Sequence, residues 1–184
     1  MNHLNIIIEG ADGCGKSTII RALKNKHPKI LTNEFDFVSL KRQLGLVEAR
    51  KKIQKMYLEL SASSHGHIVF DRHIISNYVY SKFDGSATIS AEFLLDFEKI
   101  KNNSIIIVLR TKNNILRDRL ADHDHKIDIN KNLKIQEYYL SIASILKDAN
   151  YKIFVRSSNG EEDTKKIVEL IEEYIFKSAD LPRV

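Results

Sequence analysis

The chain carries the segment IIIEGADGCGKST at residues 6–18. This segment contains Gly-x4-Gly-Lys-Ser, which begins at Gly10 and ends at Ser17. An apolar run at residues 4–8 precedes it, and a helical pattern of Ile19, Ile20 and Leu23 follows it. A glycine-rich turn between a strand and a helix is typical of a loop that binds nucleotide phosphates, so the sequence predicts such a loop here.

The residue types within this loop fit that chemistry. Glycines allow backbone angles that a Cβ atom would forbid, so that successive N–H groups can point inward at a phosphate beside the positive end of the next helix. Lys16 is expected to reach the β- and γ-phosphates, and the Ser17 hydroxyl to bind Mg²⁺. Cys14 is interpreted as a small spacer rather than a nucleophile. The residues expected to bind the nucleotide are Gly10, Gly13, Cys14, Gly15, Lys16, Ser17 and Thr18.

Length and composition narrow the class of protein. The chain has 184 residues, 43% of them apolar, and is expected to form a single domain over residues 1–184. It has a net charge of +5, one cysteine and no apolar run of about 20 residues. These features predict a cytoplasmic protein without a disulfide or a membrane span. Its basic residues are spread along the chain, which favours a small phosphorylated ligand over nucleic acid as the partner.

Apolar runs alternate with helical patterns along the chain. The predicted strands are residues 4–8, 29–32, 67–70, 104–109 and 151–155, and each is followed by an amphipathic pattern. This alternation predicts an α/β fold, a five-stranded parallel sheet of the P-loop type with helices on both faces. Ligands bind at the carboxyl ends of such strands, where the loop is joined by Glu34, Asp71, Arg72 and Arg156. Asp71 is expected to bind Mg²⁺ with Ser17, and Arg72 to bind phosphate.

Several segments resemble the thymidylate kinase family. Glu9–Thr18 is similar to the family's loop, E-G-x-D-G-x-G-K-S-T, including the internal Asp12. Asp71-Arg72-His73, followed by Ser76 and Tyr80, is similar to D-R-[YH]-x-x-S-x-x-[AV]-[YF]. The remaining matches are Arg119 with Lys126-Ile127-Asp128, which resembles the family's lid, and Tyr139-Leu140-Ser141-Ile142-Ala143, which resembles Y-L-x-L-A.

The resemblance implies ATP and Mg²⁺ as cofactors, a nucleotide acceptor and a possible homodimer. It implies that Asp12 faces the acceptor sugar, that Arg72 binds the acceptor phosphate and that Tyr80 lines the pocket. Arg119 is implied to pack on the adenine of ATP, and residues 120–132 to form a lid. The family's R-E-P-G signature is absent after the second strand, and Arg50 is the best candidate for a residue that recognises the base.

Two acceptor classes compete. A monophosphate is already an ionised nucleophile and needs only cations around it, whereas a nucleoside hydroxyl needs a base, for which Glu34 is the candidate. Further alternatives are a kinase that acts on a DNA base or 5′ end, and a nucleotide-gated switch without catalysis. The prediction is ATP-dependent phosphorylation of a deoxynucleoside monophosphate, dTMP or a related pyrimidine. Lys16, Arg72 and Arg119 would stabilise the transferred charge, and Ser17 and Asp71 would hold the metal.

Overall fold

The computed structural model describes residues 3–33, 35–63, 66–85, 91–121 and 127–179; at 91–94 and 178–179 it describes the backbone alone. The strands are β1 (Asn5–Glu9), β2 (Leu31–Asn33), β3 (Ile68–Asp71), β4 (Ser104–Arg110) and β5 (Ile153–Ser157). The helices are α1 (Lys16–Lys26), α2 (Phe37–Leu44), α3 (Leu46–Ser63), α4 (Ile74–Phe83), α5 (Ala91–Ile100), α6 (Asn113–Ala121), α7 (Ile129–Asp148) and α8 (Glu161–Ala179). A short 3₁₀ turn (Lys101–Asn103) precedes β4.

The five strands form one sheet in the order β2-β3-β1-β4-β5, and every neighbouring pair is parallel. The prediction of a five-stranded parallel sheet is therefore confirmed. In the β1–β3 register, Ile8 lies opposite Asp71. The carboxyl ends of these two strands consequently lie side by side, so the chain that leaves β1 meets the chain that leaves β3.

The central strand β1 is buried on both faces, because helices cover each side of the sheet. Ile6 and Ile8 pack with apolar residues of α1 and α8 on one face. Ile7 packs with Phe70, and with residues of α4 and α7, on the other. This two-residue alternation divides an uninterrupted apolar strand between two cores, as expected for a parallel sheet covered on both sides.

The structure contains a helix that the sequence pattern did not predict. Helix α2 begins after Asp36, whose carboxylate accepts a hydrogen bond from the Ser39 N–H at 2.9 Å. None of its side chains is fully buried. Phe37, Leu40 and Leu44 recur at spacings of three and four, but the pattern covers only eight residues, which is too short to stand out in the sequence. Gly45, with a φ of +78°, separates α2 from α3.

The start of α7 corrects the predicted polar segment. Residues 129–132 were expected to lie in an aperiodic lid, but they form the first turn of α7. Asp128 caps this helix, because its carboxylate accepts a hydrogen bond from the Lys131 N–H at 3.0 Å. Residues 120–121 belong to α6, and residues 122–126 of the predicted lid lie outside the described residues.

Within the described part of the chain, none of the helices combines the length and the apolar character needed to cross a membrane.

Candidate active site

The loop between β1 and α1 has a backbone that requires glycine. Gly15 immediately precedes α1 and has a φ of +89°. A Cβ atom on Gly15 would lie 2.8 Å from the Ser158 hydroxyl oxygen. Because a side chain is excluded by both the dihedral angle and the neighbouring atom, the loop can approach a ligand through its backbone alone.

Lys16 is directed back across this loop. Its ammonium donates hydrogen bonds to the carbonyl oxygens of Gly10, at 3.1 Å, and Ala11, at 3.0 Å. The residue is only 7% exposed. Burial, assisted by the positive charge of Arg72, lowers the pKa of Lys16. A polyanion beside this group would favour its charged form, as expected of a lysine that binds phosphate.

Cys14 fills space beneath the loop. Its side chain is fully buried, and its thiol donates a hydrogen bond to the Ala11 carbonyl at 2.8 Å. Burial raises the pKa of Cys14, which disfavours the thiolate. These properties fit a spacer and not a nucleophile.

Ser17 and Asp71 meet where β1 and β3 end. The Ser17 hydroxyl lies 3.3 Å from a carboxylate oxygen of Asp71. One hydroxyl and one carboxylate are hard oxygen ligands that fit Mg²⁺, which commonly completes its coordination with water and substrate phosphates. The described residues contain no group of three or more histidine, cysteine, aspartate or glutamate side chains that could hold a metal ion. A metal at Ser17 and Asp71 would therefore need water and phosphate oxygens as further ligands.

Arg72 connects the phosphate loop to helices α4 and α7. One guanidinium nitrogen donates to the Gly10 carbonyl at 3.1 Å, the Ser76 hydroxyl at 3.3 Å and the Tyr139 hydroxyl at 3.1 Å. The other nitrogen pairs with Asp12. Arg72 has a φ of +75°, a strained conformation for a residue with a side chain. Strain of this kind is typical of functional sites, where the surrounding contacts hold it in place.

Asp12, Arg72 and Tyr80 form one cluster, which the resemblance placed around the acceptor. The Tyr80 hydroxyl donates to Asp12 at 3.1 Å, and the Arg72 guanidinium lies 5.0 Å from the centre of the Tyr80 ring. Burial opposes ionisation of Asp12, but the charges of Arg72 and Lys16 outweigh it, and the pKa of Asp12 lies below its ordinary value. The cluster therefore presents an ionised carboxylate.

Glu9 holds the backbone that follows Arg72, a role that the sequence pattern did not predict. Its fully buried carboxylate accepts hydrogen bonds from the His73 N–H at 2.8 Å and from the Ser76 N–H at 3.2 Å. The Ser76 hydroxyl donates to the same carboxylate. Burial raises the pKa of Glu9, although these hydrogen bonds and Arg72 oppose the effect. Glu9 thus satisfies two N–H groups at the N-terminal end of α4 and holds the chain next to Arg72.

Two clefts open on either side of this cluster. One has a volume of about 880 Å³ and is lined by the phosphate loop and the N-terminal end of α8. The other has a volume of about 640 Å³ and is lined mainly by α2, α3 and α4. Asp12, Asp71 and Arg72 line both clefts. The arrangement can bring two ligands together at these three side chains.

The larger cleft is also lined by Arg119, the residue that the resemblance implied for adenine. Its guanidinium donates to the carbonyl oxygens of Gly13, at 3.2 Å, and Ser158, at 3.0 Å. Ser158, Gly160 and Thr164 also line this cleft, and the sequence reasoning missed them. Gly160 was the one feature of the sequence that could have indicated this segment. It lies between a strand and a helix, as the glycines of the phosphate loop do.

The smaller cleft contains Arg50, together with the aromatic residues Phe37 and Tyr57. Arg50 is 5% exposed and donates to the side-chain oxygen of Asn77 at 3.0 Å. It also pairs with Asp84, and its guanidinium lies 5.0 Å from the centre of the Phe37 ring. An apolar cleft with a guanidinium and a carboxylate at its wall can hold a flat ring that carries both donors and acceptors.

Four predicted positions are not among the described residues that line these clefts. Glu34 and Lys126 lie outside the described residues. Asp128, which was matched to the lid, is the cap of α7. Arg156 lies over the Phe154 ring at 5.2 Å and lines neither cleft, because it points along the edge strand β5.

A further contact to the loop comes from α7. Asn132 is 2% exposed, and its side-chain oxygen accepts from the Asp12 N–H at 3.2 Å. Its side-chain nitrogen donates to the Asp12 carbonyl at 2.8 Å. The sequence reasoning placed Asn132 in a polar loop, so this contact was missed.

Taken with its phosphate loop, the sheet defines the class of protein: an α/β protein of the P-loop kinase-like fold. The family model described as the AAA domain matches residues 5–162. The chain therefore belongs to this AAA-domain family. No curated protein matches the sequence significantly.

Solved structures share the fold along almost the whole chain. The YorR protein from Bacillus subtilis, in complex with phosphorylated GDP, is 22% identical, with a TM-score of 0.67 over 97% of this chain and 99% of that one. Deoxyadenosine kinase from M. mycoides, with dCMP and dCDP bound, is 16% identical, with a TM-score of 0.64 over 95% and 99%. Thymidylate kinase from Candida albicans is 19% identical, with a TM-score of 0.61 over 94% and 92%. At these identities the similarity establishes the fold.

Proposed function

We propose that the protein transfers the γ-phosphoryl group of ATP to a deoxynucleoside monophosphate, with a pyrimidine such as dTMP as the preferred acceptor. The observation that carries the proposal is the meeting of two clefts at Asp12, Asp71 and Arg72. A switch without a second substrate needs only the cleft at the phosphate loop. The similarity to thymidylate kinase and deoxyadenosine kinase structures supports a kinase over a switch.

The larger cleft is the proposed ATP site. The loop N–H groups and Lys16 would bind the phosphates, while Arg119 would pack against the adenine. Ser17 and Asp71 would hold Mg²⁺, which neutralises phosphate charge when it is bound. Thr18 also lines this cleft and follows Ser17 on the first turn of α1.

The smaller cleft is the proposed acceptor site. Asp12 and Tyr80 would contact the sugar, and Arg50 would meet the base at the far wall. Arg72 lies between the two clefts, where it can hold the acceptor phosphate beside the γ-phosphate. An acceptor oxygen then forms a bond to the γ-phosphorus as the bond from that phosphorus to the bridging oxygen of ADP breaks.

Positioning and charge neutralisation account for most of the catalysis of such a reaction. Two anions repel each other, so a monophosphate acceptor requires cations at the point of transfer. Lys16 and Arg72 both lie beside Gly10, since each donates to its carbonyl oxygen. This pair of positive groups favours an acceptor that brings its own negative charge.

A deoxynucleoside acceptor is the second candidate. The structural similarity to a deoxyadenosine kinase favours it. The ion pair between Arg72 and Asp12 also favours it, because a guanidinium that is paired with Asp12 has fewer donors left for an acceptor phosphate. In that case a base must accept the hydroxyl proton, and Glu34 is the proposed base.

The test is an assay of label transfer from γ-labelled ATP to a panel of deoxynucleosides, deoxynucleoside monophosphates and a DNA oligonucleotide. The proposal predicts labelled deoxynucleoside diphosphate, and its loss in Lys16→Ala. Label on nucleosides alone would replace the proposal by the second candidate, and label on DNA or on inorganic phosphate alone would refute both.

Glu34→Gln separates the two candidates further, with Glu48→Gln as the matched control. Glu48 lies on α3 and pairs with Lys51 on the exposed surface. A monophosphate kinase should keep its kcat in both variants. A nucleoside kinase that uses Glu34 as its base should lose about 10²-fold or more in Glu34→Gln alone.

A further inference from the structure

Asn132 makes a two-point contact with one peptide unit of the phosphate loop. Its side-chain amide accepts from the Asp12 N–H and donates to the Asp12 carbonyl, at 3.2 and 2.8 Å. The two residues are 120 positions apart in sequence. With 2% exposure, Asn132 is shielded from competing water. We call this pair of hydrogen bonds the Asn132 clamp.

The clamp acts on a part of the loop that lies outside the helices and strands. Asp12 lies between Gly10 and Gly13, whose φ angles are +145° and +77°, and it precedes α1. Glycines leave such a segment flexible unless something holds it. The clamp fixes both polar groups of Asp12, and therefore the direction in which its carboxylate leaves the backbone.

That carboxylate is the group that organises the proposed acceptor site. It pairs with Arg72 and accepts a hydrogen bond from Tyr80 at 3.1 Å. The carboxylate is 46% exposed, so solvent competes for it and its own contacts do not fully fix its position. A displaced Asp12 would change the positions of both Arg72 and Tyr80.

We propose that Asn132 is a positioning residue for the acceptor side of the reaction, acting through the backbone of Asp12. This inference rests on the proposed function, because it assigns the clamp to the same phosphoryl transfer. Asn132 itself is not among the described residues that line either cleft. Its side chain joins the first turn of α7 to the loop, and so sets the distance between the loop and the Tyr139 hydroxyl that Arg72 also contacts.

The chain provides a matched control one turn further along the same helix. Gln136 accepts from the Thr111 N–H at 2.8 Å and donates to the Thr111 carbonyl at 3.0 Å. It is 4% exposed, close to the value for Asn132. Both side chains thus make a reciprocal pair of hydrogen bonds with one backbone residue, but Gln136 contacts the end of β4 instead of the phosphate loop.

The experiment compares Asn132→Ala with Gln136→Ala. Each variant loses one reciprocal pair of hydrogen bonds, and Gln136→Ala also loses a bond of 3.4 Å to the Asn113 side-chain oxygen. The decrease in Tm for Gln136→Ala should therefore be at least as large as that for Asn132→Ala. Asn132→Ala should lower the acceptor kcat/KM by about 10- to 100-fold, since small misplacements of positioning groups have effects of this size. Its Kd for ATP should stay within about threefold of wild type, because residues 13–18 keep their contacts. Gln136→Ala should retain acceptor kcat/KM within about threefold.

Hydrogen exchange supplies a readout that does not depend on activity. The Asp12 amide should exchange at least tenfold faster in Asn132→Ala, and at the wild-type rate in Gln136→Ala. If the wild-type protein transfers phosphate and the two variants lose acceptor kcat/KM equally, the inference is overturned and the proposed function stands. If the wild type phosphorylates no acceptor, the proposed function fails. Unchanged Asp12 exchange in Asn132→Ala would then overturn the clamp as well.

Discussion

Replacing Arg72 with lysine keeps a positive charge beside the phosphate loop but removes the planar group that reaches several partners at once. The guanidinium contacts the Gly10 carbonyl, the hydroxyls of Ser76 and Tyr139, and the Asp12 carboxylate. A lysine carries its donors on one nitrogen, so it cannot contact Asp12 and Tyr139 in the same geometry. Losing one preorganised donor at a transferring group costs about 2.7–4 kcal/mol, or about 10²–10³ in kcat.

The cost to folding should be smaller. The Arg72 side chain is 23% exposed, so its ion pair with Asp12 is partly screened by water. Loss of the hydrogen bonds to two hydroxyls and one carbonyl should lower the free energy of unfolding by about 1–3 kcal/mol. At about 2–4 °C of Tm for each kcal/mol, the variant should remain folded at 25 °C.

The assay for Arg72→Lys measures acceptor kcat, acceptor KM and ATP binding in the same preparation. The expected result is a kcat about 10²–10³ lower with an ATP Kd within about threefold of wild type. Arg156→Lys is the matched control, because Arg156 lies over Phe154 on β5 and lines neither cleft. Full activity of Arg72→Lys toward the preferred acceptor, or equal losses in both variants, would contradict this role of the Arg72 guanidinium.

Three other predictions concern the loop, the metal site and pH. Gly15→Ala should weaken ATP binding by at least about tenfold, because φ is +89° and a methyl group would lie 2.8 Å from the Ser158 hydroxyl. Gly66→Ala is the control, because a Cβ atom there would meet no described atom within 4 Å apart from those of the adjacent residues. Equal Kd values for ATP in the two variants would contradict this prediction. Ser17→Ala should raise the Mg²⁺ concentration for half-maximal activity by about tenfold, and an unchanged titration curve would remove Ser17 from the metal site. Burial lowers the pKa of His73 from 6.5 to about 3, so below pH 6.5 the unfolded chain binds a proton that the folded chain does not. The free energy of unfolding should therefore decrease as the pH is lowered, by about 2 kcal/mol at pH 5. Chemical denaturation of His73→Gln should show a smaller decrease over the same pH range. Equal decreases in the variant and the wild type would contradict the assignment to His73.

The fold was predictable because its strands are marked by uninterrupted apolar runs. Residues 104–109 were expected to be a strand covered on both faces, and β4 is buried from Ser104 to Leu109. Helix α2 was not predictable by the same means, because it contains no apolar run and its amphipathic pattern covers only eight residues. The sequence also left the strand order open, since the pairing of β1 with β3 and β4 depends on contacts between distant residues.

The candidate site was predictable where one short segment supplies several groups. The loop from Gly10 to Ser17 and the pair Asp71-Arg72 could be identified because adjacent residues carry the chemistry. Asn132 could not, because its importance arises from a contact across 120 positions. A polar residue at the start of a helix looks like solvent-exposed surface until the helix is packed against the loop.

If donor and acceptor meet at Asp12, Asp71 and Arg72, one molecule should be able to occupy both clefts at once. Calorimetric titration with a bisubstrate analogue, adenosine joined to thymidine through five phosphates, measures this. We expect one site per chain, binding at least about 10²-fold tighter than ATP, and loss of binding by both ATP and the monophosphate once the analogue is bound. An analogue that binds no tighter than ATP, or that leaves the monophosphate still able to bind, would contradict this expectation.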